Sequence, residues 1–497
     1  MMNHGEKDDV RPRGIEATHL LQSFGRAFEL ENGKTAVALR LKSQPRDSID
    51  IFLSHVWATS PITRYIGLLW YNNSLISACT ALIAVGLMSV MLAAFVDGRY
   101  WVWFESKFLL TVHSLTSLIG TAFLFISLFS VHILKKLLHF RESVYFMDRC
   151  CIEQEDHCVK LTEIRQIPYI IMKSKSMLIL LSENYFRRLW CCYEMAVFVS
   201  SHKGRKVQLP ILLPLRLVMI TLLLVLVDLI YVVLIRSNLR TVGQLEGQIS
   251  TRLILFRILT CLYSVVVSGL CLYFATAWNK ENMKHTQVLR TFSLSDVECS
   301  DLADKDVLVD DIAFRFGSVE IFEKFVRNDM LNLVIKMNTP RIHLLLFAGL
   351  PQLFSMFGYV NALSQRIGLF CMASFDKGFA PRDDSFCVVL DREVWANAII
   401  MVSQLVRFVC FYPVVFRLLV KGCEFIMTRF DKSRIHKILS YGAILLLTSA
   451  YITASNWKFP EEQGVIIQSV DACILLSIFC IFLLLPKLNS TRIDRLE

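Results

Sequence analysis

The chain alternates between long apolar runs and polar segments. Eight runs reach the roughly 20 mostly apolar residues that a bilayer-crossing helix needs: 75–96, 109–134, 211–235, 253–278, 341–361, 394–420, 437–455 and 465–486. The run 341–361 carries Pro351 and Gln352 near its middle. None alternates apolar and polar residues with period two, so transmembrane helices rather than barrel strands are predicted. Shorter runs read differently. Residues 49–54 (IDIFLS), 143–147 (SVYFM), 176–181 (SMLILL) and 206–212 (KVQLPIL) have the length and composition of buried strands in a parallel sheet. Between the last two, Phe186, Leu189, Trp190, Tyr193 and Val197 fall at helical spacing.

Composition sharpens this picture. Of 497 residues, 54% are hydrophobic and 19% are charged, against about 25% charged in soluble domains. A soluble, disordered, fibrous or small disulfide-scaffold protein is excluded. The net charge of +10 follows topology. With eight spans, segments 1–74, 135–210, 279–340, 421–436 and 487–497 hold 37 Lys and Arg, and the loops between them on the other side hold 10. The positive-inside rule then places both termini in the cytosol. The short loop 421–436 (KGCEFIMTRFDKSRIH) gives the cleanest vote. The opening MMNHGEKDDVRPRG has no apolar core, so no cleavable signal peptide is expected. The basic residues point to anionic lipid at the cytosolic face, not to nucleic acid.

The expected class is an α-helical polytopic membrane protein with a cytosolic α/β domain. An even number of spans returns the chain to the same side, so 45–74 and 135–212 can form one split domain. The hairpin 75–134 is inserted into it, and 1–44 is a cytosolic tail. Residues 211–278 carry spans three and four, 279–340 a cytosolic loop, 341–486 spans five to eight, and 487–497 a second tail. Strands alternating with helices give a doubly wound parallel sheet, whose sites lie at the carboxyl ends of its strands.

The segments IDIFLSH, YFMD and SKSMLILLSENYFRRLWCCYEMA together resemble the Toll/interleukin-1 receptor (TIR) domain. The third is the most specific: a strand ending in Ser, an Asn-Tyr pair and Trp-Cys-x-x-Glu resemble the plant and bacterial forms. CCIEQ after the second strand is similar to TIR-like membrane proteins of protists and algae. The resemblance covers about a quarter of the chain and implies a flavodoxin-like fold, TIR–TIR self-association and a signalling role. It departs at RCCIEQEDH, which lacks the glycine usual in that loop.

In many TIR domains a glutamate makes the fold an NAD-cleaving enzyme, and the resemblance carries this role onto Glu194. Elementary chemistry agrees. Breaking the nicotinamide–ribose bond builds positive charge on the ribose, and a carboxylate beside it stabilises that charge. Trp190, one turn before Glu194, offers a flat apolar wall. Ser54 and Ser182 at strand ends can bond ribose or phosphate, and Arg187 or Arg188 can meet a diphosphate. Trp57 and Asp148 lie at the same strand ends. Each also has a plain reading: Glu194 and the arginines on a solvated face, Trp190 in a core, the serines and Asp148 shaping turns. NAD enters as a substrate, and no cofactor is expected.

In the membrane half, ionisable groups mark function by default. Asp228 and Arg257 lie at comparable depth, and Gln404, Arg407 and Asp471 lie deeper. They can line a pathway or form structural pairs. Cys371 and Cys387 share a predicted outside loop and can form a disulfide. No metal site is expected: the cysteines near His157 lack paired-ligand spacing, and the acidic stretch DVECSDLADKDVLVDD lacks the EF-hand pattern. The helical second half of 279–340 packs on the TIR-like domain or lies on the membrane. The competing function classes are a non-enzymatic TIR scaffold and a channel or transporter regulated by the TIR-like domain.

Overall fold

The computed structural model describes residues 11–22, 25–29, 33–95, 112–153, 155–201, 207–208, 249–299, 302–337, 412–429 and 440–443, with several positions between 219 and 230. The chain divides into two compact units. One comprises Met1–Ile76, Ser127–Leu217 and Lys280–Thr339; the other comprises Ser77–Ile126, Val218–Asn279 and Pro340–Glu497.

The first unit is built on a six-stranded mixed sheet. Its strands are β1 (Arg13–Glu16), β2 (Gln44–Pro45), β3 (Ile49–His55), β4 (Val144–Phe146), β5 (Ser174–Leu180) and β6 (Val207–Gln208), in the order β2-β1-β4-β3-β5-β6. The pairs β4–β3, β3–β5 and β5–β6 are parallel, with Ile51 opposite both Tyr145 and Ser176. All of β3 but Asp50 is buried, which explains its unbroken apolar run: both faces of a parallel sheet are covered. Phe52 stacks on Phe146 at 5.2 Å between ring centres. These four strands overlap the four read from the sequence.

The stretch read as a tail contributes more than its composition suggests. Strand β1 pairs antiparallel with β4, and β2 pairs with β1 at the sheet's edge. Helices α1 (Ala17–Gln22) and α2 (Gly33–Lys42) lie between them. Arg13 donates to the Ser43 carbonyl at 2.6 Å, and Arg40 pairs with Glu153 at 2.8 Å and Glu163 at 3.0 Å. Those arginines hold the fold locally. Gly14 sits where β1 crosses β4 and β3, and a Cβ there would strike the Val144 side chain and come within 2.9 Å of Ile49 Cδ1. Gly14→Ala is expected to cost about 1–3 kcal/mol of overpacking strain, read as a lower thermal midpoint of the full-length protein.

Helices cover the sheet. After β3 comes α3 (Pro61–Phe95), then α4 (Val112–Leu137), α5 (Asp148–Cys151), α6 (His157–Arg165), α7 (Ile167–Lys173) and α8 (Leu189–Ser201). Asp156 caps α6 by accepting from the Cys158 and Val159 amides at 2.9 and 3.1 Å. Within this unit α3 and α4 are tied by polar groups: Asn73 donates to the Leu128 carbonyl at 2.8 Å, and Lys135 to the Asn72 carbonyl at 2.9 Å. The long helix α9 (Ile249–Arg290) is followed by α10 (Leu302–Phe316), α11 (Val319–Phe325), a π-helical turn Val326–Met330 and α12 (Leu331–Met337). Phe322, Val326, Met330 and Val334 are fully buried, so this segment packs into the sheet-bearing unit.

Among the described residues three helices are long and apolar enough to cross a membrane: Pro61–Met91, Leu118–Leu137 and Cys261–Arg290, with mean hydropathies of 2.1, 1.8 and 1.6. They match the first, second and fourth apolar runs. Helix α3 begins 14 residues before its run because the domain helix and the apolar segment are continuous. Leu75, Ile83, Leu87, Val90 and Met91 on α3 are exposed, a patch that water does not tolerate but lipid does. The remaining five runs lie wholly or mostly outside the described residues. The second unit also contains α13 (Tyr412–Arg429), where the Val420 carbonyl accepts from Asn279 at 2.5 Å.

Candidate functional site

Ser54 and Glu194 meet at the carboxyl end of β3. Ser54 is buried in the strand's last turnout and its Oγ donates to Glu194 Oε2 at 2.5 Å. Helix α8 delivers Glu194. A 3-10 turn, Tyr185–Arg187, precedes that helix and buries Tyr185 completely. The Tyr185 hydroxyl lies 2.7 Å from Ser54 Oγ and 3.3 Å from the Cys191 carbonyl. Either hydroxyl can donate in the Ser54–Tyr185 bond, and the Cys191 carbonyl is a second acceptor within reach of the tyrosine proton. Burial holds the Tyr185 hydroxyl protonated, well above its ordinary value. Burial likewise pushes the Glu194 carboxyl up to about 8; the bond from Ser54 opposes this and the charge of Asp148 adds to it. At neutral pH Glu194 therefore mostly holds a proton, a state typical of working carboxyls in clefts.

A second group lies beside it. Trp57 Nε1 donates to Asp148 Oδ2 at 2.9 Å, and Asp148 Oδ1 accepts from the Arg149 amide at 2.7 Å. Asp148 thus shapes the start of α5 and fixes Trp57 together. His55 packs edge-on against Trp57 at 4.4 Å, and burial lowers its basicity to about 4, leaving it neutral. Two guanidinium groups flank the indole: Arg64 at 4.9 Å and Arg149 at 5.6 Å from the ring centre. Arg64 is 1% exposed. It donates to the Phe28 carbonyl at 2.7 Å, while its Nε and Nη1 have no hydrogen-bond partner among the described residues.

Four of the residues singled out in the sequence, Ser54, Trp57, Asp148 and Glu194, therefore lie at one end of the sheet. Ser182 follows the carboxyl end of β5, which pairs with that end of β3, and the remaining described residues have other contacts. The Ser182 carbonyl accepts from His285 Nε2 at 3.0 Å, and its hydroxyl is buried without a partner among the described residues. Arg187 is exposed, and its carbonyl accepts from the Glu298 amide at 2.8 Å. Arg188 pairs with Glu298 at 3.5 Å. Trp190 is half-buried, edge-on to Tyr193 at 6.1 Å. Asp228, Gln404, Arg407, Asp471, Cys371 and Cys387 lie outside the described residues, as does the side chain of Arg257. Among the described residues no cluster of His, Cys, Asp and Glu can hold a metal.

Tyr185, His55, Arg64 and Arg149 were not singled out from the sequence. Tyr185 carried a signal in the Asn-Tyr pair. Arg64 carried none, because an arginine ahead of an apolar run reads as a membrane-flanking charge.

The cysteines beside the site are structural. Cys191 donates to the His55 carbonyl at 3.6 Å and Cys192 to the Phe186 carbonyl at 3.3 Å. Burial pushes Cys151 up to about 12 and Cys150, Cys191 and Cys192 well above the usual thiol range. Cys158 is exposed. A thiol-alkylating reagent at neutral pH is thus expected to label Cys158 and spare these four in native protein, as peptide mapping would show.

Compared with known proteins, the chain matches no family model, no curated protein and no solved structure.

Proposed function

We propose that this is a membrane-anchored, TIR-like signalling protein whose cytosolic unit cleaves the nicotinamide–ribose bond of NAD, with Glu194 as the key carboxyl. One observation carries the reading: Glu194 and Ser54, far apart in sequence, are hydrogen-bonded at the carboxyl end of a parallel strand, where such sheets bind ligands. The strand order β4-β3-β5-β6 agrees with a flavodoxin-like fold. In this account the unit faces the cytosol, eight spans anchor it, and both termini are cytosolic.

The chemistry follows from the residues. Ionised Glu194 stabilises the cationic ribose as the bond to nicotinamide lengthens, and water completes the cleavage. The positive charge of the bound nicotinamide ring favours ionisation of the carboxyl. Ser54 and Tyr185 orient it through their relay. Trp57 supplies an aromatic face, and Arg64 and Arg149 supply counter-charge for the diphosphate. Self-association of the units in the bilayer raises their local concentration.

The test is nicotinamide release by full-length protein in lipid vesicles, beside Glu194→Ala. Release by the wild type alone supports the reading. No release at any protein density in the bilayer leaves the scaffold in its place. Under the channel or transporter alternative, Arg407→Ala or Asp471→Ala reduces flux through the vesicles.

A further inference from the structure

A cleft of about 540 Å³ opens at the opposite end of the sheet from Glu194, beside the amino end of β3 and the exit of α4. Its acidic groups are already engaged. Asp50 holds Lys175 at 2.7 Å and the Val144 amide at 3.0 Å; Glu16 holds Arg46 at 3.0 Å; Glu142 accepts from the Thr18 amide at 2.9 Å; Asp47, exposed at the rim, lies 3.7 Å from Arg11. The basic side is different. Lys136 and Arg141 line the cleft and form no ion pair among the described residues. His139 lines it too, held by its backbone at φ 52°. Arg46 Nε, on the same wall, is buried with no hydrogen-bond partner. Arg141 acts on the Asp50 charge at a distance, but with the carboxylates held by other groups the cleft still offers unbonded donors to an incoming anion.

Its position decides what the anion is. The apolar stretch of α4 is Leu118–Leu137, 20 residues, which at about 1.5 Å per residue spans the roughly 30 Å hydrocarbon layer. The residues that follow fall at headgroup depth. Leu137, Leu138 and Phe140, beside the cleft's cations, are 70%, 59% and 63% exposed, suited to the acyl boundary. Free phosphate would not need such an apolar rim.

We propose that this cleft binds the phosphate headgroup of an anionic membrane phospholipid, with Lys136 and Arg141 contacting the phosphate and Leu137, Leu138 and Phe140 seating the lipid. The site is independent of any NAD chemistry. It fixes the sheet-bearing unit against the bilayer at the exit of α4, and basic pockets at a cytosolic membrane face are suited to such headgroups.

The test uses full-length protein in neutral detergent micelles, titrated with a short-chain phosphatidic acid, a short-chain phosphatidylcholine or inorganic phosphate, with thermal unfolding as the readout. Phosphatidic acid is expected to raise the melting temperature saturably and the other two to leave it unchanged. Lys136→Gln and Arg141→Gln, both at exposed positions, should each weaken the lipid's half-saturation by about fivefold. Lys160→Gln on α6 should not. Equal shifts from phosphatidylcholine, or from inorganic phosphate, would overturn the assignment to an anionic lipid. Unchanged half-saturation in both variants would overturn the assignment to this cleft.

Discussion

Glu194→Gln is expected to lower nicotinamide release by about 10²–10³-fold, the loss typical when one charge-stabilising group is removed from a transition state. The substitution keeps the side chain's shape and can still accept from Ser54, so the fold is retained. Binding of NAD should weaken far less than turnover, because the charge on ribose develops only as the bond breaks. Wild-type turnover should rise with pH through about 8 as Glu194 ionises; the residual activity of the variant should not follow that curve. Stability moves the other way. The folded carboxyl titrates near 8, against an ordinary 4.5, so the native state holds the extra proton between those values. Its stabilising contribution is fully present below 4.5 and is lost as pH rises through 8. The melting temperature of Glu194→Gln should therefore fall less than that of wild type between pH 6 and 9. Equal turnover in variant and wild type would remove Glu194 from the chemistry.

Phe322→Ala is expected to destabilise the sheet-bearing unit by about 3–5 kcal/mol, the usual range for deleting a buried ring. Phe322 is fully buried and packs edge-on against Phe292 at 6.0 Å and Phe316 at 5.1 Å. Those rings hold together a segment that braces the site. The Glu298 carbonyl accepts from the Leu189 amide at 3.0 Å, at the first residue of α8. Tyr193, adjacent to Glu194, donates to Asp311, which also holds Arg315 at 2.6 Å. Loosening the ring cluster should free residues 293–337 for proteolysis and lower turnover with it. A segment lying on the membrane would predict the reverse: little change in stability and protection of the cut sites by lipid. Unchanged melting and cleavage in Phe322→Ala would contradict the packing account.

Much of this was legible in the sequence, for particular reasons. The four parallel strands announced themselves because a strand covered on both faces is an unbroken apolar run. The three apolar helices did so because a bilayer demands length and hydropathy at once. That Ser54, Trp57 and Asp148 share one end of the sheet was legible because they follow apolar strand runs; Glu194 was reached only through the motif Trp-Cys-x-x-Glu. Strands β1 and β2 were not. They are four and two residues long, lie at the edge and include charged or polar positions, so no period shows. Arg64 hid because burial is a tertiary property: the same arginine in the same sequence context marks a membrane boundary elsewhere. Arg187 was legible only as a motif position: that its backbone is held by Glu298, more than a hundred residues on, no local pattern shows. Tyr193 and Asp311 are 118 residues apart, and no local pattern joins them.

The relay Tyr185–Ser54–Glu194 is the centre of this account, and the carboxyl's titration tests it without reference to any substrate. The measurement is an infrared pH titration of the full-length protein, with Glu194→Gln subtracted as the reference. A protonated-carboxyl band is expected that is absent from the variant and disappears with a midpoint near 8. A carboxyl that loses its proton near 4.5, or a difference spectrum with no such band at neutral pH, would contradict it.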